Sequence, residues 1–372
     1  MILFLFFPCT AIGYADVDWT DSIGELLEHL DLSALQAYLD KIEKLNLWSG
    51  KSILSSLIDG DLHIDYSDFL TYVKTLFLEQ AGQFLSLFAV IAGVLLIYGI
   101  LEQVKSSVFS DLTTDVIFYA VYAFILLLLL SMIGAIVVQS TSCVEDLKRQ
   151  MELCFPILLT LMASSGSKVS VGIYQPIVGF LSTGFTSVIS NFIFPLGILV
   201  IVLTAVGNLS PELNGKGIKD MASSLVKWVM GLMLSLFSVF ITVQGITSAQ
   251  YDGISLKAAK YAVGSSVPIV GGFLSGGLDL VVAGSILLKN SLGTLSVVLI
   301  FFSVAKPVLS IFFFDLFLKF CIIMSDIVSV RFKPVFQELS EGIHFFLSGI
   351  LCVAYFYLII VLLLVCTGVA LV

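Results

Sequence analysis

VIFYAVYAFILLLLLSMIGAIVV, Val116–Val138, contains no charged residue. A helix of about 20 apolar residues crosses the ~30 Å hydrocarbon core of a bilayer, so this run alone is long enough to span. It is not isolated. Uncharged or nearly uncharged runs recur near Phe84–Leu101, at about Leu225–Ser248 and at Phe345–Val372. Across 372 residues the composition is 58% hydrophobic and 12% charged, with mean hydropathy +1.08. A soluble domain carries roughly 25% charged residues, and no soluble fold hides this much apolar surface. The runs are continuous rather than alternating with period two, which argues against a β-barrel. The reading is an all-α polytopic membrane protein.

Charge is concentrated at one end. Residues 16–80 hold thirteen Asp/Glu against four Lys, a sum of −9, which equals the net charge of the whole chain. The remainder is electrically balanced, and nothing in it forms the basic cluster of a nucleic-acid footprint. The first fifteen residues, MILFLFFPCTAIGYA, read as a secretory signal with small residues Gly13 and Ala15 before Asp16. Behind them, Ser22-x-x-Glu25 and Ser33-x-x-Gln36 have the spacing of helix-capping boxes, and each opens an apolar stripe at three- and four-residue intervals. These short helices pack on each other, on the bilayer or on a partner, and the pattern does not choose. The organisation read is a signal over 1–15, an acidic helical extracytoplasmic segment over 16–80 and a polytopic domain over 81–372. The six cysteines are read as small hydrophobes, with Cys143 alone in a polar loop.

Beyond the polar patch ending at Glu152, proline and glycine interrupt nearly every apolar run. One phrase occurs twice. QPIVGFLSTG at Gln175–Gly184 matches VPIVGGFLSGG at Val267–Gly277, with Pro176 opposite Pro268, Gly179 opposite Gly271, Gly272 inserted and Gly184 opposite Gly277. Proline removes a backbone donor and clashes with the preceding turn, while glycine is a poor helix former. Freed carbonyls at membrane depth need protein or water around them, so both phrases are expected to be buried, packed near each other and built into broken helices. Repeats over 168–250 and 260–345 would place a working site between them. Gly276 completes the small-residue set. Coincidence in a low-complexity apolar sequence is the bland alternative.

Charges inside the apolar region are few. Asp279 follows the second phrase, Lys289 ends the next run, and Asp315 and Lys319 stand four apart on one helical face. An intramembrane carboxylate is costly and by default a candidate functional group. An interfacial position for Asp279 and Lys289, and a self-neutralised pair for Asp315–Lys319, are the structural alternatives. The chain carries no GxxxxGK[ST], HExxH, GxSxG or CxxC, and its three histidines are far apart in sequence. No catalytic residue, cofactor site or metal site is read, and the expectation is a protein that is not an enzyme.

The stretch from Trp228 to Gly293, together with VGIYQPIVGFLSTGF and AVGNLSPEL upstream, resembles the stage III sporulation protein AE family. The resemblance covers most of residues 70–372 and is strongest over 168–320. It implies a mother-cell membrane protein of endospore formers, part of the SpoIIIA complex, which meets forespore SpoIIQ across the intermembrane space. It implies a secretion-like channel in which this subunit forms or scaffolds the membrane pore, with self-association allowed. A stand-alone secondary transporter built from repeated broken helices is the alternative.

Overall fold

The structure, a computed structural model, describes Leu35, Tyr38 and residues 66–108, 111–207, 216–266, 271–328 and 330–366. The elements are α1 (Tyr66–Val108), α2 (Asp111–Ser164), α3 (Lys168–Gly179), a π-helical turn (Phe180–Phe185), α4 (Thr186–Val188), a second π turn (Ile189–Ile193), α5 (Phe194–Gly207), α6 (Lys216–Ser266), α7 (Gly271–Val328), a 3-10 turn (Val330–Phe332) and α8 (Lys333–Cys366). There is no strand among the described residues. Among the described residues, six helical stretches are long and apolar enough to cross a membrane: Leu70–Glu102, Asp115–Ser164, Ser170–Gly207, Gly217–Thr242, Gly284–Val328 and Lys333–Cys366.

Aromatic and polar contacts fix the register. α1 and α7 run parallel, since Tyr72 meets Phe302 (5.0 Å between ring centroids) and Phe88 meets Phe320 (5.8 Å). α8 returns against α7, with Ser340 at Asp315 and Val365 over Gly293. α2 runs with α8: Phe118 meets Phe332 (5.0 Å) and Phe155 meets Tyr357 (5.3 Å). α6 does the same, because Lys219 pairs with Glu338 and Phe237 packs on Phe356 (4.4 Å). The rod α3–α5 opposes α8 through Phe194–Phe346 (5.0 Å) and Phe185–Phe356 (4.8 Å). Successive spans therefore alternate in direction.

Local chemistry explains where the rods stop and bend. α2 ends in a Schellman arrangement: Ser167 N–H donates to Met162 O, Gly166 N–H donates to Ala163 O, and Gly166 takes φ 93°. Glycine carries that left-handed angle without steric cost. At the first proline–glycine phrase the helix is not severed. Pro176 sits inside α3, and two π turns follow it, each of which widens the backbone by one residue. Pro156 and Pro307 lie inside α2 and α7, which run on through them.

One sequence expectation changes here. The polar patch 139–152 is helix, in the middle of α2, and Cys143 is 4% exposed rather than in a loop. Its apolar neighbours Val144, Leu147 and Met151 bury one face, so the periodicity is helical despite the polar composition. Two described residues of the N-terminal segment lie on the bundle. Leu35 is 1% exposed within the membrane-domain core and Tyr38 packs beside it.

Candidate functional site

Asp315 stands where α7 and α8 cross, with 12% of its side chain exposed. Ser340 Oγ donates to its Oδ1 at 2.5 Å, Lys319 Nζ lies 2.7 Å from its Oδ2, and His344 Nε2 lies 3.3 Å from Oδ1. Lys319 follows by one helical turn, as the spacing predicts. Ser340 and His344 are a turn apart on α8, so the antiparallel register brings both to one carboxylate. Gly342 between them lets α5 approach: a Cβ there would stand 2.8 Å from Ile201 Cγ1. On the neighbouring face of α8, Glu338 pairs with Lys219 of α6. A polar layer thus ties α6, α7 and α8 at one level.

A second polar line runs along α7. Lys289, Ser296, Ser303 and Ser310 recur every seven residues, and Lys289 and Ser296 are 0% exposed. Gln150 of α2, also fully buried, donates through Nε2 to Ser303 Oγ (2.6 Å) and to Tyr38 Oη (3.0 Å). Its Oε1 has no hydrogen-bond partner among the described residues. Pro307 lacks the N–H that would bond Ser303 O four residues back, and Cys143 Sγ donates to that carbonyl instead at 3.4 Å. Cys143→Ala is therefore expected to destabilise by about 1 kcal/mol in the parent, the usual worth of a lost hydrogen bond. In Pro307→Ala, where the helix supplies its own donor, the same change should cost less. A double-mutant cycle on detergent melting temperatures measures the difference, and equal costs in both backgrounds would refute the contact.

The first phrase is only half buried. Ile177, Val178, Leu181 and Ser182 face inward, but Pro176 and Gly179 are exposed, contrary to the expectation of full burial. A Cβ on Gly179 would meet nothing within 4 Å, whereas one on Gly184 would stand 3.1 Å from the Phe180 ring. Pro268 lies outside the described residues. Gly271, Gly272, Gly276, Gly277 and Asp279 belong to the first turns of α7, and their side-chain surroundings lie outside the described residues, as does the expected packing of one phrase on the other. Lys289 is fully buried within the bundle. Sequence reasoning missed Ser340 and His344. Both lie in the polar start of α8, KPVFQELSEGIH, where nothing local singles them out, and Asp315 lies 25 residues upstream of Ser340. No group of three or more metal-ligating side chains occurs among the described residues.

Six apolar rods alternating in direction around a packed core define a polytopic helical membrane protein. The chain belongs to the stage III sporulation protein AE family, whose family model matches residues 48–368. It is 26% identical over 266 residues to "Stage III sporulation protein AE" of Bacillus subtilis (strain 168), an alignment covering 71% of this chain. The chain matches 66% of that relative's length, just under two thirds. No solved structure matches.

Proposed function

We propose that this protein is a non-enzymatic subunit of a channel-like assembly linking mother cell and forespore during endospore formation. It sits in the mother-cell membrane, with residues 16–80 in the intermembrane space. Its partners are the other SpoIIIA-complex proteins and SpoIIQ, and it forms or scaffolds the pore. The observation that carries this reading is the family match over residues 48–368, joined to a bundle of six apolar rods. A stand-alone secondary transporter is the second reading, favoured by the two π turns after Pro176, a feature common at functional sites in helices.

Partner dependence separates the two. A tagged full-length chain purified from sporulating cells should bring the SpoIIIA proteins and SpoIIQ with it. Its deletion should stop forespore development after engulfment. Full spore yield in cells lacking those partners, with solute uptake by the chain alone in liposomes, would establish the transporter instead.

A further inference from the structure

The membrane-spanning run of α1 fixes the level of what packs on it. Phe84 meets Phe314 (5.8 Å between ring centroids), Phe88 meets Phe317 (6.4 Å), Tyr98 meets Phe332 (5.2 Å), and Gly99 leaves room for Val328. α7 from 314 to 328 therefore lies alongside the uncharged run Phe84–Leu101. The first part of α8 shares this level, because it turns back at Phe332 and meets Asp315 through Ser340. α2 agrees: its uncharged run Val116–Val138 starts beside Phe332, through Phe118, and continues past the same level. Outward side chains here on α1 and α2 are Leu85, Leu96, Ile97, Phe124 and Leu127, a wall suited to lipid. The later uncharged run of α8 does not mark the bilayer in this way. Its most apolar stretch is 56% buried, against 28% for α1 and 33% for α2, so much of its apolarity serves the core.

At the level of the α1 and α2 runs, the α7–α8 surface is polar. Lys319 and His344 are half exposed, and Gln337 and Glu341 are exposed beside them, following one another at helical-turn spacing along α8. Glu341 takes part in no ion pair among the described residues. A bare carboxylate against hydrocarbon is costly, so this face needs a polar cover. The charges indicate which one. The Lys319 ammonium reaches back to Asp315 (2.7 Å), and Asp315 is level with Ser340, so the ammonium and Glu341 share one depth. A two-fold axis along the membrane normal holds both copies of each residue at equal depth. It therefore sets Glu341 of one copy against Lys319 of the next, and the reverse. A face carrying both signs at one level is complementary to itself.

We infer that the α7–α8 face bearing Lys319, Gln337, Glu341 and His344 is an interface within the membrane between two copies of this chain. It goes beyond both readings of function and depends on neither. Full-length chains in membranes of sporulating cells test it, in a parent whose exposed Cys366 is replaced by serine. A short bifunctional thiol reagent should join Glu341→Cys chains to one another, and Gln337→Cys chains likewise. Leu127→Cys, on the lipid wall, should stay single. In detergent, Glu341→Lys should weaken self-association at least about tenfold, because it sets like charges face to face. The melting temperature of the single chain should stay near the parent's. Glu341→Lys chains mixed with Lys319→Glu chains should pair with each other, although neither pairs with itself.

Cross-links from Glu341→Cys to a different protein overturn the inference by naming another cover, and the absence of any cross-link there overturns it as well. Rapid modification of Glu341→Cys in membranes by a charged, impermeant thiol reagent would show water on this face, with the same consequence. So would self-association of Glu341→Lys at the parent's strength. Mixed chains that fold but do not pair overturn the contact of Glu341 with Lys319. None of these results bears on partner dependence, so the channel and transporter readings are decided separately.

Discussion

Exchange of Asp315 for leucine is expected to loosen the α7–α8 crossing while leaving membrane insertion intact or improved. An aspartate at a helix centre opposes insertion by roughly 2.5–3.5 kcal/mol, so losing it does not hinder targeting. Within the folded bundle the same carboxylate accepts from Ser340 and pairs with Lys319 and His344. A hydrogen bond to a charged group is worth about 1.5–3 kcal/mol. Lys319 and His344 are half exposed, at 59% and 45% of their side chains, so their pairing with Asp315 adds less. The net expectation is a destabilisation of about 1.5–3 kcal/mol, read as a lower melting temperature at normal membrane abundance. Asp315→Asn keeps an acceptor for Ser340 and should lose less.

The swap Asp315→Lys with Lys319→Asp separates two roles for the carboxylate. It restores the one-turn ion pair but places an ammonium opposite Ser340 and His344. Recovery of stability by the swap would mean that Asp315 only neutralises Lys319. Failure of the swap, with partial retention in Asp315→Asn, is the expected pattern. Heat-resistant spore counts at matched protein level then show whether this layer matters to function as well as to packing.

A leucine at Gly349 is expected to be more damaging than one at any open glycine. A Cβ on Gly349 would stand 2.6 Å from Phe194 Cε1 and 3.0 Å from Ile189 Cγ2. The two contacts flank the second π turn, Ile189 opening it and Phe194 starting α5 behind it, and Phe194 is itself wedged on Phe346. Overpacking of this kind costs about 1–3 kcal/mol or more when neighbours cannot rotate away. Small residues are what allow membrane helices to approach closely, without a hydrophobic drive between them. Gly134 is the control, because a Cβ there would meet nothing within 4 Å. Gly349→Leu should lower the monodisperse peak in size-exclusion chromatography and the melting midpoint, and Gly134→Leu should leave both near the parent. Phe194→Ala should relieve part of the Gly349→Leu defect, and equal behaviour of the two glycine variants would show that α5 does not seat on α8 as described.

Much of the architecture follows from local sequence alone. The uncharged run Val116–Val138 required a membrane span because its length matches the hydrocarbon core and its backbone must be satisfied internally. The one-turn spacing of Asp315 and Lys319 required them to share a helical face. Residues whose meaning depends on a distant partner were not legible. Nothing local links His344 and Ser340 to Asp315; only the antiparallel return of α8 sets them against it. Cys143 read as a loop residue, because composition reports polarity and not which side of a helix is buried. Only packing against α7 shows that it supplies the donor Pro307 withholds. Proline marks a missing N–H in any sequence, but whether the helix breaks, widens into π turns or borrows a thiol is decided by what neighbouring helices place beside the freed carbonyl.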